Sequence, residues 1–385
     1  MATVYLHIGT SKTGTTALQK FMRRNEEEMH KQGYCYPLMK LGIQSLYRDR
    51  NARFLIYESI HEKRKPGETV AAHELRVKEN GYRFVAEAAK KYPNIVLSDE
   101  QIWYKCQKEE NFWKNTMEEF RKIGCDVKVI VYLRRQDLLI QSLWNQNVKM
   151  FRKTARPFSA CIKDDYFDYF PLDYYAHLKK IEADVGKENL IVRPYERGRF
   201  GGSEHTIFSD FFESIGLTIT DAFTKEGLKT NYSLEGNYLE IKRLINRLPE
   251  YRQMQDFLNR PVLNGSTCYT LRGENEKPNM FASRQEQAEY QAQFEESNRK
   301  VAEEYLGRKG EPLFYDEVKE AVPWSVKEDV MYRDVITVMT EAFCSQEQKI
   351  IRLEQKIAEL KKEVELLKGS PVVKAGRKVK SIFHK

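Results

Sequence analysis

The chain has 385 residues, of which 41% are hydrophobic and 31% charged, enough to bury a full α/β core and leave room for an appendage. Of its formal net charge of +8, the last fourteen residues supply +5, and the +3 of the remaining chain argues against a nucleic-acid-binding surface. Its six cysteines form no C-x-x-C pair and indicate reduced thiols, and no apolar run approaches the ~20 residues of a membrane-spanning helix.

Residues 4–25, VYLHIGTSKTGTTALQKFMRRN, predict a strand, a loop of small residues and a helix in direct succession. Backbone N–H groups of such a loop can converge on an anion at the positive end of the helix dipole. Gly9 and Gly14 have the spacing of a Walker A loop, but Thr15 stands at the lysine position and Lys12 lies inside the loop. The segment predicts a phosphate site unlike an ordinary ATPase loop; a strand-to-helix turn without a ligand is the alternative.

A second strand is predicted at residues 95–97, after a charged stretch, residues 41–91, that lacks clean periodicity and predicts irregular structure. Asp99 and Glu100 follow that strand directly. Ligands of open α/β sheets bind at the carboxyl ends of the strands, so both are candidates for a general base. The alternative is that either carboxylate only caps the helix that follows.

Residues 128–133, KVIVYL, form an apolar run typical of a buried parallel strand, and a helix is predicted over residues 138–148. Arg134 and Arg135 stand at the strand's end, with Asp137 as the expected N-cap of the helix. Ser142 follows Arg134 by eight residues, so a guanidinium and a hydroxyl are available to bind a phosphate. A further strand is predicted at residues 190–193, and residues 246–283 predict loops over the ligand site.

After Phe343 the apolar residues alternate spacings of three and four, with β-branched residues and leucine in the order that favours a parallel two-stranded coiled coil. These are Ile350, Leu353, Ile357, Leu360, Val364 and Leu367. We therefore predict three regions: an α/β catalytic domain over residues 1–342, a coiled-coil helix over 343–368 that forms a homodimer, and a basic tail over 369–385. A single amphipathic helix lying on the catalytic domain is the alternative to the dimer.

The tail, residues 372–385, places apolar residues on one side of a helix and lysine and arginine around the other. This pattern is typical of a helix that lies on an anionic membrane surface. A disordered basic terminus is the alternative. With the phosphate loop so close to Met1 we expect no signal peptide, and so a cytoplasmic protein, peripheral on the inner face of the membrane if the tail binds lipid.

The run Ser11, Lys12, Thr13, Gly14, Thr15, Thr16 resembles the 5'-phosphosulfate loop, PK-[ST]-G-[ST]-T, of sulfotransferases that use 3'-phosphoadenosine 5'-phosphosulfate (PAPS), with serine in place of proline. Arg134 and Ser142 match the spacing of that family's 3'-phosphate motif, although R-R-Q stands where many members read R-N-P and Arg135 could share the role. Residues 189–216, 230–234 and 294–305 extend the resemblance. The triplet 308–310, RKG, is expected to be a solvated turn.

The resemblance implies a P-loop-type parallel sheet flanked by helices, and transfer of a sulfuryl group from PAPS to a hydroxyl of a carbohydrate or glycolipid. It implies that Lys12 assists the leaving phosphate, that residues 11–16 hold the 5'-phosphate and that Arg134 and Ser142 hold the 3'-phosphate, with no metal required. Glu100 is the first candidate for the base and Asp99 the second, with His61 and Glu58 further away in sequence. A P-loop small-molecule kinase and a catalytically inactive nucleotide-binding scaffold are the alternative functions.

Overall fold

Five parallel strands in the order β2-β3-β1-β4-β5 form the central sheet of the computed structural model, which describes residues 1–38, 49–56, 64–149, 154–225, 236–247, 279–320 and 322–369. The strands are β1 (Ala2–His7), β2 (Tyr34–Cys35), β3 (Asn94–Ser98), β4 (Cys125–Leu133) and β5 (Leu190–Pro194). The four strands predicted from apolar runs are confirmed. The two-residue β2 was not predicted, because it is too short to show a pattern.

The central position of β1 decides where the loop lies. β1 pairs with β3 through Leu6 and Leu97 and with β4 through Leu6 and Val129, so its carboxyl end opens between the ends of β3 and β4. The connection after β1 runs to β2 on one side and the connection after β4 runs to β5 on the other, so the strand order switches between β1 and β4, the position where open α/β sheets bind ligands.

Helices flank the sheet. The helices of the sheet-containing part are α1 (Thr15–Arg24), α2 (Glu26–Lys31), α3 (Val70–Ala89), α4 (Ile102–Lys105), α5 (Phe112–Lys122), α6 (Gln136–Lys149), α7 (Phe158–Lys163), α8 (Tyr174–Val185), α9 (Ile207–Ser214), α11 (Arg284–Ala292) and α12 (Glu295–Leu306). α1 and α9 pack over Tyr5 and Tyr132 in a core that includes Phe21 and Phe211. Short 3-10 turns occupy Arg53–Ile56, Cys106–Lys108 and Lys187–Asn189.

The prediction that residues 41–91 are irregular is wrong for α3, a helix of twenty residues capped by the Thr69 side chain, which accepts a hydrogen bond from the Ala72 amide at 3.2 Å. Its buried positions are His73, Val77, Gly81 and Val85. A stripe that contains a histidine and a glycine gives no apolar periodicity. Gly81 is required there, because a Cβ at that position would lie 2.1 Å from the Phe54 ring.

The chain divides into two compact units. The first contains the sheet and comprises the described residues of Met1–Trp144, Pro157–Ser233 and Pro278–Pro323. The second comprises those of Asn145–Arg156, Leu234–Lys277 and Trp324–Lys385, and in it α10 (Gly236–Ile245) packs against α13 (Glu328–Gly369). The side chain of Asn237 closes this unit by accepting from the Lys327 amide and donating to its carbonyl, both at 2.8 Å.

The predicted coiled-coil segment is part of α13, which starts at Glu328, well before the predicted boundary at residue 343. Its six heptad side chains, residues 350–367, are each between 47% and 63% exposed in the single chain. An apolar stripe of this kind is what a second helix would cover, so the dimer stays a prediction. The tail beyond Gly369 lies outside the described residues. None of the described helices is long and apolar enough to cross a membrane.

Candidate functional site

The loop after β1 turns into α1 through two residues with left-handed backbone. Lys12 and Gly14 both adopt left-handed conformations, with φ of 71° and 80°. Gly14 is also the N-cap of α1, and it provides no side-chain cap for the first amides of that helix, whose first turn contains no acidic residue. Helix-start amides without a side-chain cap, together with the helix dipole, favour a bound phosphate.

Side chains inside the loop hold this shape. The Thr13 hydroxyl donates to the Thr10 carbonyl at 2.7 Å, and the Thr10 amide donates to the Tyr132 carbonyl of β4 at 2.9 Å. Thr13 and Thr15 are buried, whereas Ser11, Lys12 and Thr16 are half-buried. The Thr13 hydroxyl therefore donates its proton within the loop. The predicted hydrogen bond from Thr13 to a phosphate can come only from its backbone amide.

Arg134, the predicted strand-end arginine, reaches the loop. Its Nη1 donates to the carbonyl of Lys12 at 2.8 Å, and its guanidinium lies 5.9 Å from the centre of the Tyr195 ring. Burial lowers the pKa of Arg134 from its ordinary value, and the nearby charge of Arg197 lowers it further. Ser142 is half-buried on α6, six residues after the helix begins at Gln136.

Arg135 has a different environment. It is 7% exposed, and its Nε and Nη2 donate to the two carboxylate oxygens of Asp137 at 2.7 and 2.9 Å, while Nη1 donates to the Asp316 carbonyl. The expectation that Asp137 is an N-cap is wrong, because α6 begins at Gln136 and the Asp137 carboxylate is paired with Arg135. Arg135 is thus committed to Asp137, and of the two arginines Arg134 is the one that donates to the loop.

Glu100 lies against the start of the loop on its other side. A Cβ on Gly9 would be 3.0 Å from the Cβ of Glu100, so only glycine permits this approach. The Glu100 carboxylate is paired with Arg50 and accepts a hydrogen bond from Nε2 of Gln19 at 3.1 Å. Glu100 is 6% exposed.

Asp99, the rival candidate, has different partners, although both carboxylates directly follow β3. It is fully buried, its Oδ2 lies 3.4 Å from Nη1 of Arg53, and its Oδ1 accepts from the Gln101 amide at 2.9 Å. Burial raises the pKa of Asp99, an effect that the charges of Arg53 and Arg50 oppose. Asp99 thus closes the turn before α4 but does not cap that helix, whose N-cap is Gln101 without a side-chain hydrogen bond. His61 and Glu58 lie outside the described residues.

Sequence reasoning missed the polar network behind Glu100. Nδ1 of His7 lies 2.8 Å from the Ser98 hydroxyl, which accepts from the same Gln19 side chain that binds Glu100, at 3.1 Å. His7 is buried, and burial lowers its pKa to about 4. His7 is the last residue of β1 and Ser98 that of β3, so their polarity at paired strand ends was the available signal.

Tyr195, the first residue after β5, lies in the segment 189–216 that extends the resemblance, but the sequence assigned it no role. Its amide donates to the Leu133 carbonyl at 2.6 Å, and its ring lies 3.7 Å from where a Cβ on Gly14 would be. Tyr195 therefore lies beside both Gly14 of the loop and Arg134. The predicted turn at residues 308–310 is confirmed for Lys309 and Gly310, which are exposed, but Arg308 is half-buried against Tyr315, 5.1 Å from the ring centre.

A cavity of about 390 Å³ lies among α7, α8 and the segment between them. Its walls combine aromatic and acidic side chains, among them Phe167, Phe170, Asp165 and Asp168. Tyr174, next to Asp173 of this cavity wall, donates from its hydroxyl to the Arg134 carbonyl at 2.5 Å. The cavity wall is thus joined to the carboxyl end of β4.

No protein-family model matches the chain. An uncharacterised protein of Archaeoglobus fulgidus is 29% identical over 212 residues, which cover 54% of this chain and 53% of that protein. The match spans about half of each protein, and the relative's description gives no activity that could be compared with the site.

Proposed function

We propose that the protein is a sulfotransferase that moves a sulfuryl group from PAPS to a hydroxyl of a carbohydrate or glycolipid. The observation that carries the proposal is the arrangement around one loop: Arg134 binds the carbonyl of Lys12 on the β4 side, and Glu100 packs against Gly9 on the β3 side. A cation for the donor and a carboxylate for the acceptor thus flank a turn suited to phosphate.

In this mechanism the acceptor oxygen attacks sulfur in line, a new S–O bond forms and the S–O bond to the 5'-phosphate breaks. Lys12 offsets the charge that develops on the bridging oxygen, and the amides of the loop and of α1 hold the departing phosphate. The acceptor hydroxyl loses its proton to the Glu100 carboxylate, which Arg50 and Gln19 hold in place. Arg134 and Ser142 hold the 3'-phosphate, and adenosine 3',5'-bisphosphate leaves.

The acceptor class rests on the cavity beside α8. Its combination of aromatic rings and carboxylates suits a sugar, which presents hydroxyls to acceptor oxygens and flat apolar faces to rings. We extend the proposal to a cytoplasmic enzyme, because the donor PAPS is made in the cytoplasm. In this proposal the basic tail binds the inner membrane surface, and the heptad residues of α13 form a coiled coil with a second copy of the chain.

A thermal-shift comparison of two nucleotides tests the donor. Adenosine 3',5'-bisphosphate at ~100 times its dissociation constant stabilises the folded chain by about 2.7 kcal/mol, whereas ATP at the same concentration stabilises it less, because ATP lacks the 3'-phosphate that Arg134 binds. Arg134→Ala is the matched variant and removes most of the difference between the nucleotides. Equal or greater stabilisation by ATP, with magnesium required, favours a kinase; binding without turnover on any acceptor favours an inactive scaffold.

A further inference from the structure

Three side chains that commonly bind metals converge where α2 meets the edge strand β2. Glu26 and His30 lie one helical turn apart on α2, and Cys35 is the second residue of β2. One ligand atom from each of the three lies within 4.8 Å of the other two, the one such group that includes both a cysteine and a histidine among the described residues. The sequence alone does not reveal this cluster, because its residues are spaced unlike any common metal motif.

We propose that Glu26, His30 and Cys35 bind a single zinc ion, with water as the fourth ligand. Thiolate, imidazole and carboxylate together are a ligand set that suits zinc, with bonds of about 2.0–2.3 Å. In a tetrahedral site such bonds place the nitrogen and oxygen about 3.4 Å apart, and Nε2 of His30 lies 3.7 Å from Oε1 of Glu26. Small side-chain movements therefore complete the geometry.

The state of His30 gives an independent reason. Its Nε2 is buried and makes no hydrogen bond with any residue that the structure describes, which is costly for a polar atom. The ring is held in place by stacking on Tyr92, with centroids 4.4 Å apart and planes 19° from parallel. A ring fixed in this way, with its free nitrogen directed at a carboxylate and near a thiol, is arranged to bind a metal.

The position of the site indicates a structural zinc. Cys35 pairs with Ile95, three residues or about 10 Å before the carboxyl end of β3. The ion would therefore join α2 to the sheet's edge strand, away from the loop that follows β1. When the ion binds, the Cys35 thiol gives its proton to solvent, a Zn–S bond forms, and the ion loses hydration water to the three protein ligands.

Zinc titration of the chelator-treated full chain tests this site. All variants carry Cys344→Ser, because that thiol is exposed. The parent chain binds one zinc per chain and gains melting temperature, and cobalt in its place gives a thiolate charge-transfer band. His30→Gln and Cys35→Ser each lower zinc affinity by more than about tenfold, because replacing even a residue that only hydrogen-bonds to a metal ligand lowers affinity by that factor. Cys35→Ser also abolishes the cobalt band.

Cys125→Ser is the matched control, because Cys125 is also a buried free thiol at a strand residue and lies outside the cluster. It binds zinc like the parent. Should Cys35→Ser fail to fold, Glu26→Gln and His30→Gln decide the question, since both side chains are about 30% exposed on α2. Absence of zinc binding by the parent chain, or equal affinity in parent, Glu26→Gln and His30→Gln, overturns the proposal.

Discussion

The two flanks of the phosphate loop differ in how their charged groups are held. On the β4 side, Arg134 is half-buried, and it contacts the loop carbonyl of Lys12 and the face of Tyr195. On the β3 side, Glu100 is buried, paired with Arg50 and bonded to Gln19. The β4 flank presents a cation to the loop, whereas the β3 flank encloses a carboxylate in a network.

This difference shows that in each flank one residue lies against the loop, while neighbouring residues hold it in a fixed position. Arg135 and Asp137 form a buried pair that fixes the start of α6, and this fixed point aims Arg134 at the loop. Behind Glu100, the buried His7 and Ser98 fix Gln19 and so the carboxylate. In both flanks the residue adjacent to the loop is oriented by a partner that cannot itself contact a ligand.

The largest effect is expected on the β4 flank, from Arg135→Ala. This change leaves the Asp137 carboxylate buried without its bidentate partner, which costs about 3–5 kcal/mol in the free energy of unfolding. Urea denaturation measures it. Arg134→Ala, one residue away, is the matched control: it costs about 1 kcal/mol, the scale of one hydrogen bond, and instead weakens binding of adenosine 3',5'-bisphosphate.

The double variant Arg135→Gln with Asp137→Asn removes both charges and recovers most of the stability lost by Arg135→Ala. If Arg135→Ala is as stable as Arg134→Ala, the two arginines are equivalent and the contrast between them is wrong.

On the β3 flank, Glu100→Gln tests the proposed base. The variant keeps the hydrogen-bonding shape of the side chain and binds the donor normally, but loses roughly 10²-fold in turnover, since an amide cannot accept the acceptor proton. Lys12→Ala loses a similar or larger factor, through lost stabilisation of the leaving phosphate. Single-turnover rates with saturating donor measure both, and a melting curve shows whether Glu100→Gln folds. Wild-type turnover would move the base to Asp99 or His61.

The sequence predicted the sheet and the loop because apolar strands and small loop residues have local signals. β1, β3, β4 and β5 occur where apolar runs predicted them. The pairing of Arg50 with Glu100 could not be predicted, because the two residues are far apart in sequence and only the fold brings them together. The same reason hid the contact between Gly81 and Phe54, whereas the cluster of Glu26, His30 and Cys35 was missed because its spacing matches no common metal motif.

The smallest of these effects concerns pH and comes from His7, at the base of the β3 network. Burial lowers the pKa of His7 to about 4, against 6.5 for an exposed histidine. Above pH 6.5 the imidazole is neutral in both folded and unfolded chains and has no effect. As the pH falls from 6.5 towards 4 the unfolded chain binds a proton that the folded chain does not, so stability decreases, by about 2 kcal/mol at pH 5 from this group. His7→Asn, which can still bond to Ser98, should therefore lose about 2 kcal/mol less than wild type between pH 7 and pH 5 in urea denaturation. Because every carboxylate is common to both proteins, the difference isolates His7.

His177, buried on α8 with a pKa also lowered to about 4, is the matched control. His177→Asn shows the same reduced pH dependence of stability but leaves enzyme turnover unchanged. His7→Asn, by contrast, changes turnover if the β3 network positions the Glu100 carboxylate. Identical pH dependence of wild type and His7→Asn would mean that His7 binds a proton equally well in the folded and unfolded chains. The β3 flank would then not exclude a charged imidazole, and the contrast with the β4 flank would be wrong.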